Sequence, residues 1–396
     1  MSAGLKPRNT QETEDAVKWA AAEEQPLEII GQGSKRDLGR PMQTAHVLDL
    51  SDLTGVVSYE PAELVLTVKA GTSIAEVEKL VDDNGQELSF EPLDYGPLHG
   101  KDAAQGTIGG VLAANLSGPR RIKAGAARDH ILGMEAVSGR GEIFNSGGKV
   151  VKNVTGYDLP RSLCGSFGTL AVATTVTIKV NPKPETSATF QLSGLTDEDG
   201  IKALCLAMGS SAEVSGAAHL PANVGGQDSQ TVLRLEGFET SVDYRFKTLE
   251  RLLGKFGSVS RVDQSASEAI WTSIRDVQPF VGGATPVWRV SVAPTDGPQL
   301  VQLLKNKLDV QAYYDWSGGL AWVSCLDGAD HHVAIREAID QVAGGHATLV
   351  RADASVRGHV PVFQPQSAPL AALEYRLKHQ FDPNGVLNPG RMVAGV

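Results

Sequence analysis

Between Gly96 and Gly148 the chain carries twelve glycines in 53 residues, and this cluster limits what it can fold into more than any other feature. The spacers are Ile, Val, Leu and Ala, not the Ser and Gln of a flexible linker. Such a segment is ordered backbone that turns tightly or approaches something closely. A bound anion is one object that backbone approaches in this way. The charge balance of 36 Lys+Arg against 46 Asp+Glu, formally -10, repels polyphosphate and argues against a general nucleic-acid role. Any anion must then be held locally, by amides and a few side chains.

A chain of 396 residues predicts two or three domains at roughly 150 residues each. With 41% hydrophobic residues and no run near the ~20 apolar positions of a membrane span, a soluble globular protein without a transmembrane segment is expected. Cys164, Cys205 and Cys325 form no C-x-x-C, and the first residues lack a signal-peptide core. A cytoplasmic location follows, with membrane association only through a partner. Cys164 and Cys325 sit in apolar settings and read as core thiols.

Along the chain, Thr10 opens a helix, and strands are expected at 27–30, 46–50 and 63–70. Ser73 and Glu76 form a capping box for a helix to about Asn84. A glycine-entered helix over 107–115, strands at 131–137 and 142–145, a short helix near 158–163 and a long β-branched strand over 169–180 follow. Asn181-Pro-Lys-Pro closes this unit. From 186 to 365, strands at 231–236, 287–292, 320–325 and 347–352 alternate with helices near 197–208, 241–254, 266–277, 297–308 and 331–342. That mixture predicts an antiparallel sheet with helices on one face. A helix over 369–379 and a turn-rich tail then return to the first unit. The expected domains are 1–182, 186–365 and 366–396.

Two glycine turns, Gly31-Gln32-Gly33-Ser34-Lys35 and Gly106-Thr107-Ile108-Gly109-Gly110, combine freed N–H groups with hydroxyls and suit a diphosphate. Neither standard mononucleotide motif explains them. A G-x-G-x-x-G from Gly31 meets Arg36, and a Walker A ending at Gly148-Lys149 meets Ile143 and Val150.

With these loops, Asn115 and Gly118, Gly125-Ala-Ala-Arg128-Asp129, Gly156-Tyr157-Asp-Leu, Gly165-Ser-Phe-Gly-Thr-Leu170 and the terminal Asp382-Pro-Asn-Gly-Val-Leu-Asn388-Pro-Gly-Arg391, the chain resembles the vanillyl-alcohol oxidase / p-cresol methylhydroxylase (PCMH-type) superfamily. The resemblance implies an α+β protein, with a PCMH-type FAD-binding domain of two α/β subdomains and an α+β cap with an antiparallel sheet. Lys152-Asn-Val-Thr-Gly-Tyr-Asp-Leu159, Trp288-Arg-Val-Ser291, Asp315-Trp316 and Gly345-His-Ala-Thr-Leu-Val-Arg351 are most similar to the FAD-binding subunits of glycolate oxidase (glycolate dehydrogenase) complexes. The implied partners are a second, catalytic FAD subunit and an iron–sulfur subunit. The implied cofactor contacts are Gly31, Gln32, Gly33, Ser34, Lys35, Gly106, Thr107, Ile108, Gly109, Gly110, Asn115, Gly118, Gly125, Arg128, Asp129, Lys152, Gly156, Tyr157 and Asn388.

Gly33 stands where covalent-flavin relatives often carry His, so the FAD is expected to be noncovalent. The metal-binding histidine set of related D-2-hydroxyacid dehydrogenases is missing, and His331-His332, whose side chains diverge on a helix, is a poor chelate; no metal is expected. A small 2-hydroxy acid needs a cation for its carboxylate and a base for its hydroxyl proton. Arg289 and Arg351 are the expected grip, His346 the base, and Tyr157 a neighbour of the flavin. A stand-alone dehydrogenase for another hydroxy acid or alcohol, and a structural flavin subunit without turnover, stay open at this level. Of Trp271, Trp288, Trp316 and Trp322, most read as core, with Trp316 the exception.

Overall fold

The computed structural model describes residues 3–148, 156–224, 226 and 228–395. Among these, four sheets form. Strands β1 (Ala3–Leu5), β2 (Leu27–Ile30) and β3 (His46–Asp49) make a parallel sheet in the order β1-β3-β2. Strands β4 (Val56–Glu60), β5 (Val65–Lys69), β7 (Ile131–Ser138), β8 (Ile143–Gly147) and β9 (Ala171–Lys179) make an antiparallel sheet in the order β4-β5-β9-β7-β8. Between them in sequence, β6 (Gln86–Glu87) pairs with β10 (Asn181–Pro182).

One of the two cap signals acts one residue away from where the sequence puts it. The first helix runs Thr10–Ala22, but its cap is Asn9, whose Oδ1 accepts the Glu12 amide at 2.8 Å. Ser73 does cap the Ile74–Asp82 helix, its Oγ accepting the Glu76 amide at 3.1 Å.

The antiparallel sheet of the second unit is larger than expected. Strands β11 (Thr186–Ser193), β12 (Gly216–Leu220), β13 (Gln230–Gly237), β14 (Val259–Val262), β15 (Val287–Val292), β16 (Val310–Asp315), β17 (Leu320–Cys325) and β18 (Gly345–Arg351) run in the order β14-β11-β13-β12-β16-β17-β15-β18. β11, β12, β14 and β16 carry no clear signal in the sequence. β12 is Gly-Ala-Ala-His-Leu and buried at all five positions, so it shows neither alternation nor β-branched enrichment.

Alternation along these strands sorts the sheet into two faces. Trp288, Val290, Tyr314, Ala321, Val323 and Leu349 pack beneath helices that include Asp197–Met208 and His332–Asp340. Tyr313, Leu320, Trp322 and Val350 point the other way and share a core with Leu66, Phe90, Ile131 and Val176 of the first unit. The sheet is therefore a wall standing against the glycine-rich unit. Ion pairs tie the two together: Arg234 Nη1 to Glu91 Oε1 at 2.8 Å, and Arg120 Nη2 to Glu236 Oε1 at 2.7 Å. Burial pushes the Glu91 carboxyl up, but Arg234 and Arg120 outweigh it and hold the group at about 2.

The tail folds back onto the first unit. Leu387 bridges Leu27 in parallel, and Lys378, buried with Asp382 at 2.6 Å, donates to the Thr169 and Leu387 carbonyls.

Candidate functional site

The loop after β2 and the loop before the Ile108–Ala114 helix are clamped together at glycines. A Cβ on Gly31 would stand 2.5 Å from Thr107 Oγ1, which itself accepts the Gly110 amide at 3.2 Å. A Cβ on Gly109 would stand 2.8 Å from the Ala70 carbonyl oxygen, the atom to which the Gly109 amide donates. Gly33 has φ +76°, a left-handed turn that suits glycine.

Into this fork reaches Lys35. Its Nζ lies 3.3 Å from Ser34 Oγ and within 3.4 Å of the position a Gly106 Cβ would take. Among the described residues no carboxylate pairs with it, and burial pushes the ammonium down to about 8. The same loops border two adjoining cavities, which share Gly31, Thr107, Gly110, Phe167 and Asn388. A lysine with no ion-pair partner among the described residues, beside glycines that admit no side chain, has the chemistry that suits a phosphate group.

The other expected cofactor contacts divide. Gln32 is exposed at the tip of the first loop, and Ile108 is buried in the core. Asn115, left-handed at φ 49°, accepts the Arg128 amide through Oδ1 at 3.1 Å, and Asp129 Oδ2 accepts the Ala126 amide at 2.9 Å. With Gly125 at φ +90°, these residues shape a turn beside the Ile108–Ala114 helix. Gly118 lies at the boundary between the units, where a Cβ would stand 2.7 Å from the Glu91 carbonyl oxygen and where Trp316 Nε1 donates to its carbonyl at 3.1 Å. Asn388 lines both cavities, but its amide is already engaged: Oδ1 accepts the Ile29 amide and Nδ2 donates to the Phe167 carbonyl. Gly156 and Tyr157 are exposed, Tyr157 at 88%, and Lys152 lies outside the described residues.

A second constellation stands on the sheet face that looks toward the first unit. Arg289, Ser291, Thr348 and His346 share that face, because Arg289 pairs with Thr348 and Ser291 with His346. The Arg289 guanidinium lies 4.8 Å from the Trp316 ring centroid, and Arg121, from the first unit, lies 4.3 Å from the same ring. Neither arginine has a hydrogen-bonded or ion-paired side-chain partner among the described residues, and burial lowers both guanidinium pKa values. His346 is exposed at the rim; partial burial and then the two arginines lower its pKa, so it is neutral at pH 7. Arg121, in the Arg120-Arg121 pair just after Gly118, is the residue sequence reading passes over.

Arg351 corrects the sequence expectation. Its Nε donates to the Thr285 carbonyl at 2.8 Å and its Nη1 to the carbonyls of Phe280 at 2.6 Å and Leu98 at 3.2 Å. Its donors are spent on backbone, leaving no fork for a carboxylate. Among the described residues no hydrogen bond or ring contact joins the exposed Tyr157 to Arg121 or Arg289. His331 and His332 each take their own carboxylate, from Asp327 and Asp330.

Residues 2–147 match the model of an FAD binding domain. Over 383 residues the chain is 35% identical to the glycolate oxidase subunit GlcE of Escherichia coli K12, covering 96% of each protein. It is 26% identical to the glycolate oxidase subunit GlcD of Bacillus subtilis 168, covering 98% of this chain and 88% of that one. The fold superposes on p-cresol methylhydroxylase with a TM-score of 0.69 at 16% identity, over 99% of this chain and 88% of that one. The FAD-binding-domain match and the full-length similarity converge: the chain belongs to the family of FAD-binding oxidoreductases that includes the glycolate oxidase subunits GlcE and GlcD.

Proposed function

We propose that this chain is the FAD-binding subunit of a complex that oxidises glycolate, or a small 2-hydroxy acid like it, to the 2-oxo acid and passes the electrons to a partner. The observation that carries this reading is the pair of unpartnered guanidinia, Arg121 and Arg289, on Trp316 at the wall facing the FAD-binding unit. Two partly buried cations with no ion-pair partner among the described residues are costly in the free protein, and a substrate carboxylate relieves them.

FAD fits the residues present. Lys35 has no ion-pair partner among the described residues and feels Asp94 only at longer range, Gly31 and Gly109 leave no volume for a side chain, and apolar Ile29, Leu112 and Val172 line the larger cavity. When bound, the flavin supplies the two-electron acceptor. Gly33, Ser34, Lys35 and the Gly106–Gly110 turn would hold its diphosphate, and with glycine at position 33 that loop offers no side chain for covalent attachment. Arg289 and Arg121 fix the substrate carboxylate and thereby its α-carbon, while neutral His346 closes the rim.

The partners that fit are a second, catalytic FAD subunit and an iron–sulfur subunit. This chain's three cysteines are one short of a cluster's usual four ligands, and Cys164 and Cys325 are buried, with thiols pushed up to about 12 by burial. No helix among the described residues is long and apolar enough to cross a membrane, so a membrane contact would come through such a partner.

The test is anaerobic mixing of the FAD-loaded chain, alone and with co-purified partners, with glycolate. Flavin bleaching is the expected result. A flavin that stays oxidised in both preparations overturns the reading, and full turnover by the lone chain removes the need for a partner.

A further inference from the structure

On the same sheet face as Arg289 stands a buried acid that the mechanism above leaves unused. Asp315 ends β16 and is 2% exposed. Its Oδ1 accepts the Trp316 amide at 2.7 Å, and no other donor or cation among the described residues reaches the carboxylate. The charges facing it are Glu91 on one side and Arg234 and Arg289 on the other, with Tyr313 adjacent. Register puts it in the site: Asp315 pairs with Leu320, Leu320 with Ser291, and Ser291 with His346, so all four share one face. His346 is three strands away, about 14 Å at the usual strand spacing. The turn that follows is held in an unusual conformation, with Trp316, Ser317 and Gly318 at φ 51°, 60° and 98°. Functional sites are where such strain concentrates. Tyr95, 3% exposed and near Arg289, has a hydroxyl with no hydrogen-bond partner among the described residues.

We infer that Asp315 is the proton acceptor for the hydroxyl of the acid held by Arg121 and Arg289, a role that rests on the substrate reading above. As the C–O bond becomes C=O, the hydroxyl proton passes to the free carboxylate oxygen of Asp315. The α-hydrogen leaves with its electron pair for the flavin, and Asp315 then releases its proton to solvent. His346 is the weaker acceptor, because it is exposed and has no partner to orient it. Burial pushes Asp315 up to about 7, so its ionisation has two opposite effects near neutral pH. It creates the acceptor, and it sets a negative charge beside the bound carboxylate.

The experiment compares wild type, Asp315→Asn, Asp315→Glu and His346→Gln as full, FAD-loaded chains. Asn keeps an oxygen to cap the Trp316 amide. Flavin reduction by glycolate should slow about 100-fold or more in D315N, in the range of a lost general base. Its rise with pH near 7 should vanish there, return in D315E and persist in H346Q. A readout independent of turnover is tryptophan fluorescence titrated with oxalate. Wild-type affinity should fall as pH rises through about 7, and D315N affinity should stay flat. A D315N enzyme with wild-type rate and pH profile, or loss of the pH limb in H346Q, overturns the inference. Wild type that binds oxalate but is not reduced by glycolate overturns the substrate reading and the proton transfer with it. Oxalate affinity independent of pH in both proteins removes Asp315 from the site altogether.

Discussion

The glycine fork and the arginine wall would receive an anion in opposite ways. The fork is backbone: Gly31, Thr107 and Gly109 press two loops together, and one lysine completes it. Each of its two loops is a short run of sequence, and its shape is fixed by volumes that only glycine satisfies. The wall is side chains: Arg121 from the first unit, and Arg289, Trp316 and His346 from three segments of the second. It exists only once the units dock. A protein that must hold one ligand permanently and exchange another has reason to build the first site rigid and the second at an interface.

The comparison breaks most sharply at Gly31. Alanine there would drive Thr107 off the Gly110 amide, and overpacking of this kind costs about 1–3 kcal/mol. FAD affinity should fall about 100-fold with little change in the far-UV spectrum, measured by flavin retention on gel filtration. Full retention would show that the fork has slack.

This contrast also explains what could be read beforehand. The fork was legible because a demand for glycine is a local property, visible as Gly31-Gln-Gly and Gly106-Thr-Ile-Gly-Gly. Arg289 and His346 could be picked out from their own segments, but they share a face only once β15 pairs with β18, and Arg121 and Asp315 join that face only through the packing of distant segments. Arg351 shows the limit. Strict alternation sends it to the face opposite His346, and a bulge at Val287/Trp288 returns it, only for the carbonyls of Leu98, Phe280 and Thr285 to absorb its donors. Strands β12 and β16 at the centre of the wall were hidden for a different reason. Nearly every position is buried, which erases the period-two pattern.

At the wall, Arg289→Met should raise the glycolate concentration for half-maximal flavin reduction about 30-fold, the loss expected for a charged hydrogen bond of about 2 kcal/mol. The same change should raise the melting temperature of the substrate-free protein, because an unpaired, largely buried cation is removed. Loss of both binding and stability would mean that Arg289 is an anchor. Arg351→Met is the internal control with the reverse signature. It strands buried carbonyls and should cost about 1–2 kcal/mol in urea unfolding, while half-saturation by glycolate stays within about twofold.

The smallest expected effect tests the one charge in the fork. Lys35 is held at about 8 by burial, below its ordinary value, so in the FAD-free protein the unfolded chain binds the proton more tightly than the folded one. Stability of the FAD-free protein should therefore rise with pH between about 8 and 10, where only the unfolded state is still protonated. A bound diphosphate favours the charged ammonium, so FAD binding in that window takes up a proton and its affinity must fall as pH rises. A decline of about fivefold per pH unit above 8, absent in Lys35→Met, is the expected result in a fluorescence titration of FAD. A flat profile in the wild type would mean that the amides alone carry the diphosphate, making the fork a purely backbone receptor and its contrast with the side-chain wall complete.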